Sequence, residues 1–271
     1  MKRRALLACS GTALAAGLAG CTGSLFGSRV TESFDRSYDV ADGATLTVSN
    51  RNGDVEVRDT DGDQLAVSGE KRAPRQSGLD AISVDVSTGE EIAVDVDLGS
   101  GSSFSNRSVE LTVEVPDGVA VDSASSSNGR VTVADVAGDV DASSSNGQVE
   151  VTDVDGYVRC ETSNGDIRTR NTTGLRGAQT SNGTVDVEVL AMRDDVTCRS
   201  TNGSVTVRVG PEVVAAFRLS TSNGDAEVRD VEHTVTTSRN KRIEGRLNGG
   251  TEPLLRLETT NGDVTLRSAD E

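Results

Sequence analysis

Chemistry in this sequence is confined to a short set of residues. Cys21 closes the stretch Leu18-Ala19-Gly20-Cys21, a lipobox pattern. Small residues there let a peptidase grip an extended backbone, and the thiol takes up a lipid and becomes the new N-terminus after cleavage. Ahead of it, Lys2, Arg3 and Arg4 form a basic segment, and residues 5–20 are an uncharged run of small and apolar residues. Those are signal-peptide proportions, short for a membrane span. Arg3-Arg4 before Ala5-Leu6-Leu7 also fits a twin-arginine export signal, although a basic start serves general secretion equally. The alternative for Cys21 is an ordinary signal peptide with a chance cysteine. The expected product is lipidated at Cys21 and held at the outer face of the cytoplasmic membrane.

The other candidates carry less. His233 is the one histidine, which excludes a multi-His metal centre and any Ser-His-Asp triad not built on it; a surface or turn position is the plainer reading. Asp54, Asp166, Asp225 and Asp263 each follow an Asn-Gly pair and could suggest a stacked calcium site. Arg130, Gln148, Thr184 and Ser204 stand at the same place elsewhere, so the ligand ladder is broken and solvated turn residues are expected. No phosphate loop or HExxH motif occurs. No catalytic residue, metal or cofactor is expected.

These residues sit in a repeat. Asn-Gly occurs at Asn52, Asn128, Asn146, Asn164, Asn182, Asn202, Asn223, Asn248 and Asn261. From Asn128 the intervals are 18, 18, 18, 20 and 21, then 38 to Asn261, two periods of 19 with Asn248 out of register; Asn52 to Asn128 is four such periods. A fixed period near 20 marks a repeat architecture. Apolar residues recur three and five places after the Asn (Val149 and Val151, Val205 and Val207) and four before it (Ala142, Cys160, Ala178, Cys198). Polar residues stand between them, the signature of half-buried strands. Hydroxyls recur two before the Asn, and Gly138, Gly156 and Gly174 mark a second turn. Asn and Gly both tolerate the left-handed backbone of tight turns.

The fold class is therefore all-β. Two architectures use such a unit: an antiparallel meander or sandwich, and a β-solenoid of 18–21-residue coils. A meander with one apolar face needs a second layer, and no amphipathic helix supplies it. In a solenoid the two strands of a coil bury their faces against each other and the next coil covers the rung. The solenoid is the reading adopted. It divides the chain into a signal peptide (1–20), a polar lipid-anchored tether (21–37), an irregular N-terminal β part (38–118) with a flexible loop at Gly99–Ser108, and a regular Asn-Gly stack (119–271). In that register Cys160 and Cys198 lie two rungs apart, about 9–10 Å, beyond the roughly 7 Å Cα limit of a disulfide. Two buried free thiols are expected.

Composition narrows the partners. The formal charge is -16, and it becomes -19 without residues 1–20, which hold three cations and no carboxylate. Such a chain cannot neutralise phosphates, so nucleic acid is excluded. Acid is spread along the chain and only Lys71 and Lys241 remain as lysines after cleavage, the pattern of proteins from salt-loving archaea. Six aromatics in the mature chain are a poor stock for stacking sugars.

The stretch LTVEVPDGVAVDSASSSNGRVTVADVAGDVDASSSNGQVEV, from Leu111 to Val151, resembles the putative-adhesin domain family of surface proteins, with its strand, Pro-Asp-Gly, strand and successive Asn-Gly turns. The resemblance spans about Leu46 to Leu266. It implies a solenoid-like fold on an exported or anchored chain, and no catalytic residues. The expected function is a non-enzymatic, lipid-anchored cell-surface adhesin or envelope spacer, with a surface glycan or protein as partner. The alternatives are an enzyme acting on envelope polysaccharide and an envelope sensor or accessory protein.

Overall fold

Alternation of buried and exposed residues along each segment dictates strands, and the computed structural model contains twenty-one of them with one short helix among the described residues. It describes residues 29–100, 106–239 and 241–269; Arg3, Arg4, Cys21 and the core of the expected loop, residues 101–105, lie outside the described residues. The N-terminal part holds β1 (Val30–Tyr38), β2 (Thr45–Asn52), β3 (Val55–Thr60), β4 (Leu65–Ala73), α1 (Gln76–Leu79), β5 (Ser83–Ser87), β6 (Glu91–Asp97) and β7 (Ser108–Pro116). The middle holds β8 (Ala120–Asn128), β9 (Val131–Ala134), β10 (Asp141–Asn146), β11 (Val149–Asn164), β12 (Ile167–Asn182), β13 (Val185–Val189), β14 (Val196–Arg199) and β15 (Val205–Val209). The C-terminal part holds β16 (Ala215–Asn223), β17 (Ala226–Val228), β18 (His233–Arg239), β19 (Arg242–Leu247), β20 (Leu254–Asn261) and β21 (Val264–Ser268).

The Asn-Gly strands stack in parallel, as a solenoid requires and a meander forbids. Ala124, Ala142, Cys160, Ala178 and Cys198 stand in register on β8, β10, β11, β12 and β14. Val131, Val149, Ile167, Val185 and Val205 do so on the opposite face. All ten are at most 1% exposed. The two faces thus close on each other over a thin core of small and β-branched side chains. Cys160 and Cys198 are free and buried, separated by Ala178. Burial pushes both thiols up, that of Cys198 to about 12, because a thiolate has no water there to solvate it.

The stacking order departs from chain order at both ends, which corrects the even spacing read from the sequence. Asn52 lies directly beside Asn128, and Asn223 directly beside Asn261, so the intervals of 76 and 38 residues put no coil between the paired Asn in the stack. At the N-terminal end the chain lays down the β2–β3 coil and leaves it through β4. It then builds the β6–β7 coil on the outer side, and returns so that β8 and β9 cover the inner side. At the C-terminal end β16 and β17 form the outermost coil, and β20 and β21 afterwards slot between it and the β14–β15 coil.

Antiparallel strands cover most of the edges that this leaves. β5 pairs with β6, β4 with β7, β1 with β4, β19 with β16 and β18 with β19. An uncovered parallel edge is a template for further strands, and these hairpins occupy it. β1 also corrects the tether: Val30–Tyr38 is paired along its whole length with β4. Its polar alternation fits an edge strand, which needs little burial.

Candidate functional site: the Asn-Gly corner and its groove

Each corner is a hydrogen-bonded column running along the stack. Asn146, Asn164, Asn182, Asn202, Asn261 and Asn223 each donate Nδ2 to the Oδ1 of the preceding Asn in the stack, at 2.8–2.9 Å. A carboxamide is donor and acceptor at once, so a column at strand spacing satisfies both groups. None of these Asn has a positive φ. The left-handed backbone expected at the turns is therefore not why Asn stands there; the side-chain column is. Glycine follows because a Cβ on Gly165 would lie 2.0 Å from the carbonyl oxygen of Gly147, and one on Gly147 1.9 Å from that of Gly129.

Two further columns complete the corner. The hydroxyls two before the Asn turn inward, each donating to a glycine carbonyl of the adjacent coil. Ser144 reaches Gly129 O at 2.8 Å, Thr162 Gly147 O at 2.9 Å and Thr180 Gly165 O at 3.0 Å. They are 5–8% exposed, and such a bond contributes about 0.5–1.5 kcal/mol. The aspartates after Asn-Gly accept from the next coil's backbone: Asp54 from Arg130 N at 2.8 Å, Asp166 from Thr184 N at 2.7 Å and Asp263 from Asp225 N at 2.9 Å. They are coil-to-coil clamps. Among the described residues no group of three or more His, Cys, Asp or Glu could hold a metal ion.

Beside this corner the strands that precede the Asn form a groove of about 820 Å³. Its floor carries Ser127, Ser145, Ser163, Ser181 and Thr201, one residue before successive Asn, with Ser125, Ser143 and Gln179 two places further back. Arg51 and Arg199 lie toward its two ends and Glu161 between them. In a chain this acidic, a hydroxyl floor repeated once per rung is a departure from the general surface. The run SSSN at Ser125–Asn128 and Ser143–Asn146 was the signal for it in the sequence.

His233 is exposed on β18. Its Nδ1 lies 2.7 Å from Val231 O and its ring edge-on to Phe217 at 6.0 Å. Two charged clusters escaped the sequence reading because their members are far apart in the chain. Asp139 accepts from Tyr157 N and pairs with Arg193, whose guanidinium stacks on the Tyr157 ring at 3.6 Å. The Tyr157 amide and then Arg193 hold its carboxyl below the usual range against burial. On the other face Asp186 lies between Arg170 and Arg208. Burial would raise its pKa, but hydrogen bonds from both arginines outweigh it and lower the pKa.

A family model described as Toastrack DUF4097 matches residues 123–267, more than half of the chain. The chain belongs to the Toastrack DUF4097 family. The Toastrack match begins in β8 and ends in β21, so it takes in the Asn column, most of the groove and the slotted coil. The resemblance read from the sequence reaches further, to Leu46. Comparison with curated proteins gives no match. Solved structures with a similar arrangement include a putative cell adhesion protein of Clostridium sporogenes, with 10% identity, covering 89% of this chain and all of that one, at a TM-score of 0.40. A putative adhesin of Parabacteroides distasonis shares 12%, covers 88% and 98%, and scores 0.43. A putative lipid binding protein of the same species shares 12%, covers 86% and 96%, and scores 0.38.

Proposed function

We propose that this Toastrack protein is a non-enzymatic, lipid-anchored spacer of the cell surface that presents the hydroxyl groove to an extended, neutral envelope glycan. The observation that carries the reading is the groove floor, where a serine or threonine hydroxyl recurs one place before the Asn at each of the five successive rungs from Asn128 to Asn202. A polymer of repeating hydroxyl groups can meet such a floor in register, and the charges that line it, Arg51, Glu161 and Arg199, are of mixed sign and spread along the groove. Lipid attachment at Cys21 would place the β1 end of the stack next to the membrane, only eight residues separating Cys21 from Val30. The dispersed acid then serves hydration in concentrated salt. An enzyme of envelope polysaccharide is the second reading, and release of reducing ends from envelope glycans by the purified protein would establish it instead.

Two measurements test the proposal. Cys21→Ser is expected to move the protein from the membrane fraction to the soluble fraction, or to leave its signal uncleaved. A cleaved Cys21→Ser protein that stays in the membrane contradicts the anchor. For the groove, Ser145→Arg with Ser163→Arg fills the floor without touching the buried columns. Retention on isolated envelopes should fall about tenfold or more, the equivalent of roughly 1.4 kcal/mol, with thermal stability unchanged. Equal retention removes the groove from the function.

A further inference from the structure

Nine Asn-Gly pairs pose a chemical question. In this dipeptide the backbone nitrogen of the glycine, unhindered by a side chain, attacks the carboxamide carbon of the asparagine. A C–N bond forms, the amide nitrogen leaves as ammonia, and a five-membered succinimide closes. Water then opens the ring at one of its two carbonyls, giving aspartate or isoaspartate. The balance is one water consumed and one ammonia released, with no redox partner.

In the stack both reacting groups are held. The nucleophile is occupied: Gly53, Gly129, Gly165, Gly183, Gly203 and Gly262 donate N–H to the Asn carbonyl of the next coil at 2.8–3.1 Å. The electrophile is fixed by the amide column at 2.8–2.9 Å. Asn223 ends the column. Its amide is tied to Asn261, but among the described residues no coil lies beyond it to accept from Gly224.

Asn248–Gly249 stands outside this arrangement. It forms the tight turn after β19, closed by Gly250 N to Leu247 O at 2.9 Å, with φ of +48° at Asn248 and +73° at Gly249. Among the described residues nothing accepts from Gly249 N, and a Cβ built on Gly249 would meet nothing within 4 Å. The carboxamide acts as a latch, its Nδ2 donating to Pro211 O at 2.8 Å and to Val213 O at 3.0 Å. It thereby ties the 210–214 loop to the end of β19, the strand that covers the outermost coil.

We propose that Asn248–Gly249 is a site of spontaneous deamidation in the folded protein, and that its conversion unlatches the hairpin covering the C-terminal end of the stack. The product carboxylate has no N–H to donate and sets a negative charge against two carbonyl oxygens. Both former bonds become repulsive contacts, and isoaspartate additionally lengthens the turn by one backbone carbon.

The test is peptide mass spectrometry of the purified chain held at mildly alkaline pH, folded and in denaturant, following the exchange of amide for carboxylate. In the folded protein Asn248 is expected to convert first and Asn223 next. Asn128, Asn164, Asn182, Asn202 and Asn261 should convert at least about tenfold more slowly than Asn248, a protection of roughly 1.4 kcal/mol. In denaturant all should convert at similar rates. Column residues converting as fast as Asn248 in the folded state overturn the assignment. For the second step, Asn248→Asp is compared with Asn248→Gly, which keeps the turn without the charge. Hydrogen exchange over residues 210–214 and β19 should speed up more in Asn248→Asp. Exchange there equal to that of the unmodified protein overturns the unlatching.

Discussion

Gly165→Ala is expected to leave the domain unfolded, or destabilised by about 4 kcal/mol or more, whereas Gly43→Ala should cost only about 1–2 kcal/mol. The larger figure belongs to the small class of mutations with a named severe cause. Here the added Cβ would stand 2.0 Å from the Gly147 carbonyl oxygen and 2.5 Å from its carbon. Overpacking a side-chain core costs about 1–3 kcal/mol because side chains can shift. At this corner the obstacle is backbone, and both backbones are fixed. Gly165 donates to Asn182 O at 2.9 Å, and Gly147 O accepts from Thr162 at 2.9 Å. Opening the gap breaks the Asn and hydroxyl columns on either side as well. Gly43 has φ of +78° and nothing within 4 Å of its would-be Cβ, so alanine there meets only the left-handed strain. Urea denaturation of the two variants measures the difference, and equal midpoints would reject the close-contact account.

The period, the strands and the buried faces were legible because each follows from local alternation. Val149, Glu150 and Val151 announce a half-buried strand wherever they occur, and the constant offset of Ala142, Cys160 and Ala178 from the Asn announces stacking. The hydroxyl column was legible as a position but not as a bond, since its acceptor is the Gly carbonyl of another coil. Order was not legible. Residues 205–208 and 264–267 have the same pattern of apolar and polar residues, so nothing local says which coil lies beside which. That is fixed by the ends, where the hairpin β18–β19 covers β16 and leaves β20 a place on the inner side. Asn248 shows the same limit in reverse. The turn rule invoked for every Asn-Gly holds at this one, the member that fell out of register, while the registered Asn keep φ negative and serve the column.

Slotting of the last coil makes truncation unusually severe. Deleting residues 251–271 should cost the native protection of the whole of residues 210–250, not only of the deleted coil. In a stack laid down in chain order, the same deletion would remove a terminal rung and leave its neighbours docked. Here it removes β20 and β21, which pair with β14 and β15 on one side and with β16 and β17 on the other. The β16–β19–β18 sheet is left with no rung beneath it. Leu255, Leu257, Val264 and Leu266, each 0% exposed, go with the deletion. At about 1.5–3 kcal/mol for each buried side chain, that is roughly 6–12 kcal/mol, comparable to the roughly 5–15 kcal/mol that holds a typical domain folded. β16 could regain its edge only by settling directly on β14, and the 210–214 loop and its Asn248 tie are set for a position one rung further out. Limited proteolysis with mass mapping reads the outcome. The expected pattern is a resistant fragment ending near Val209 and rapid cleavage throughout 210–250; full resistance of 215–247 in the truncated chain would show that β16 docks without the slotted coil.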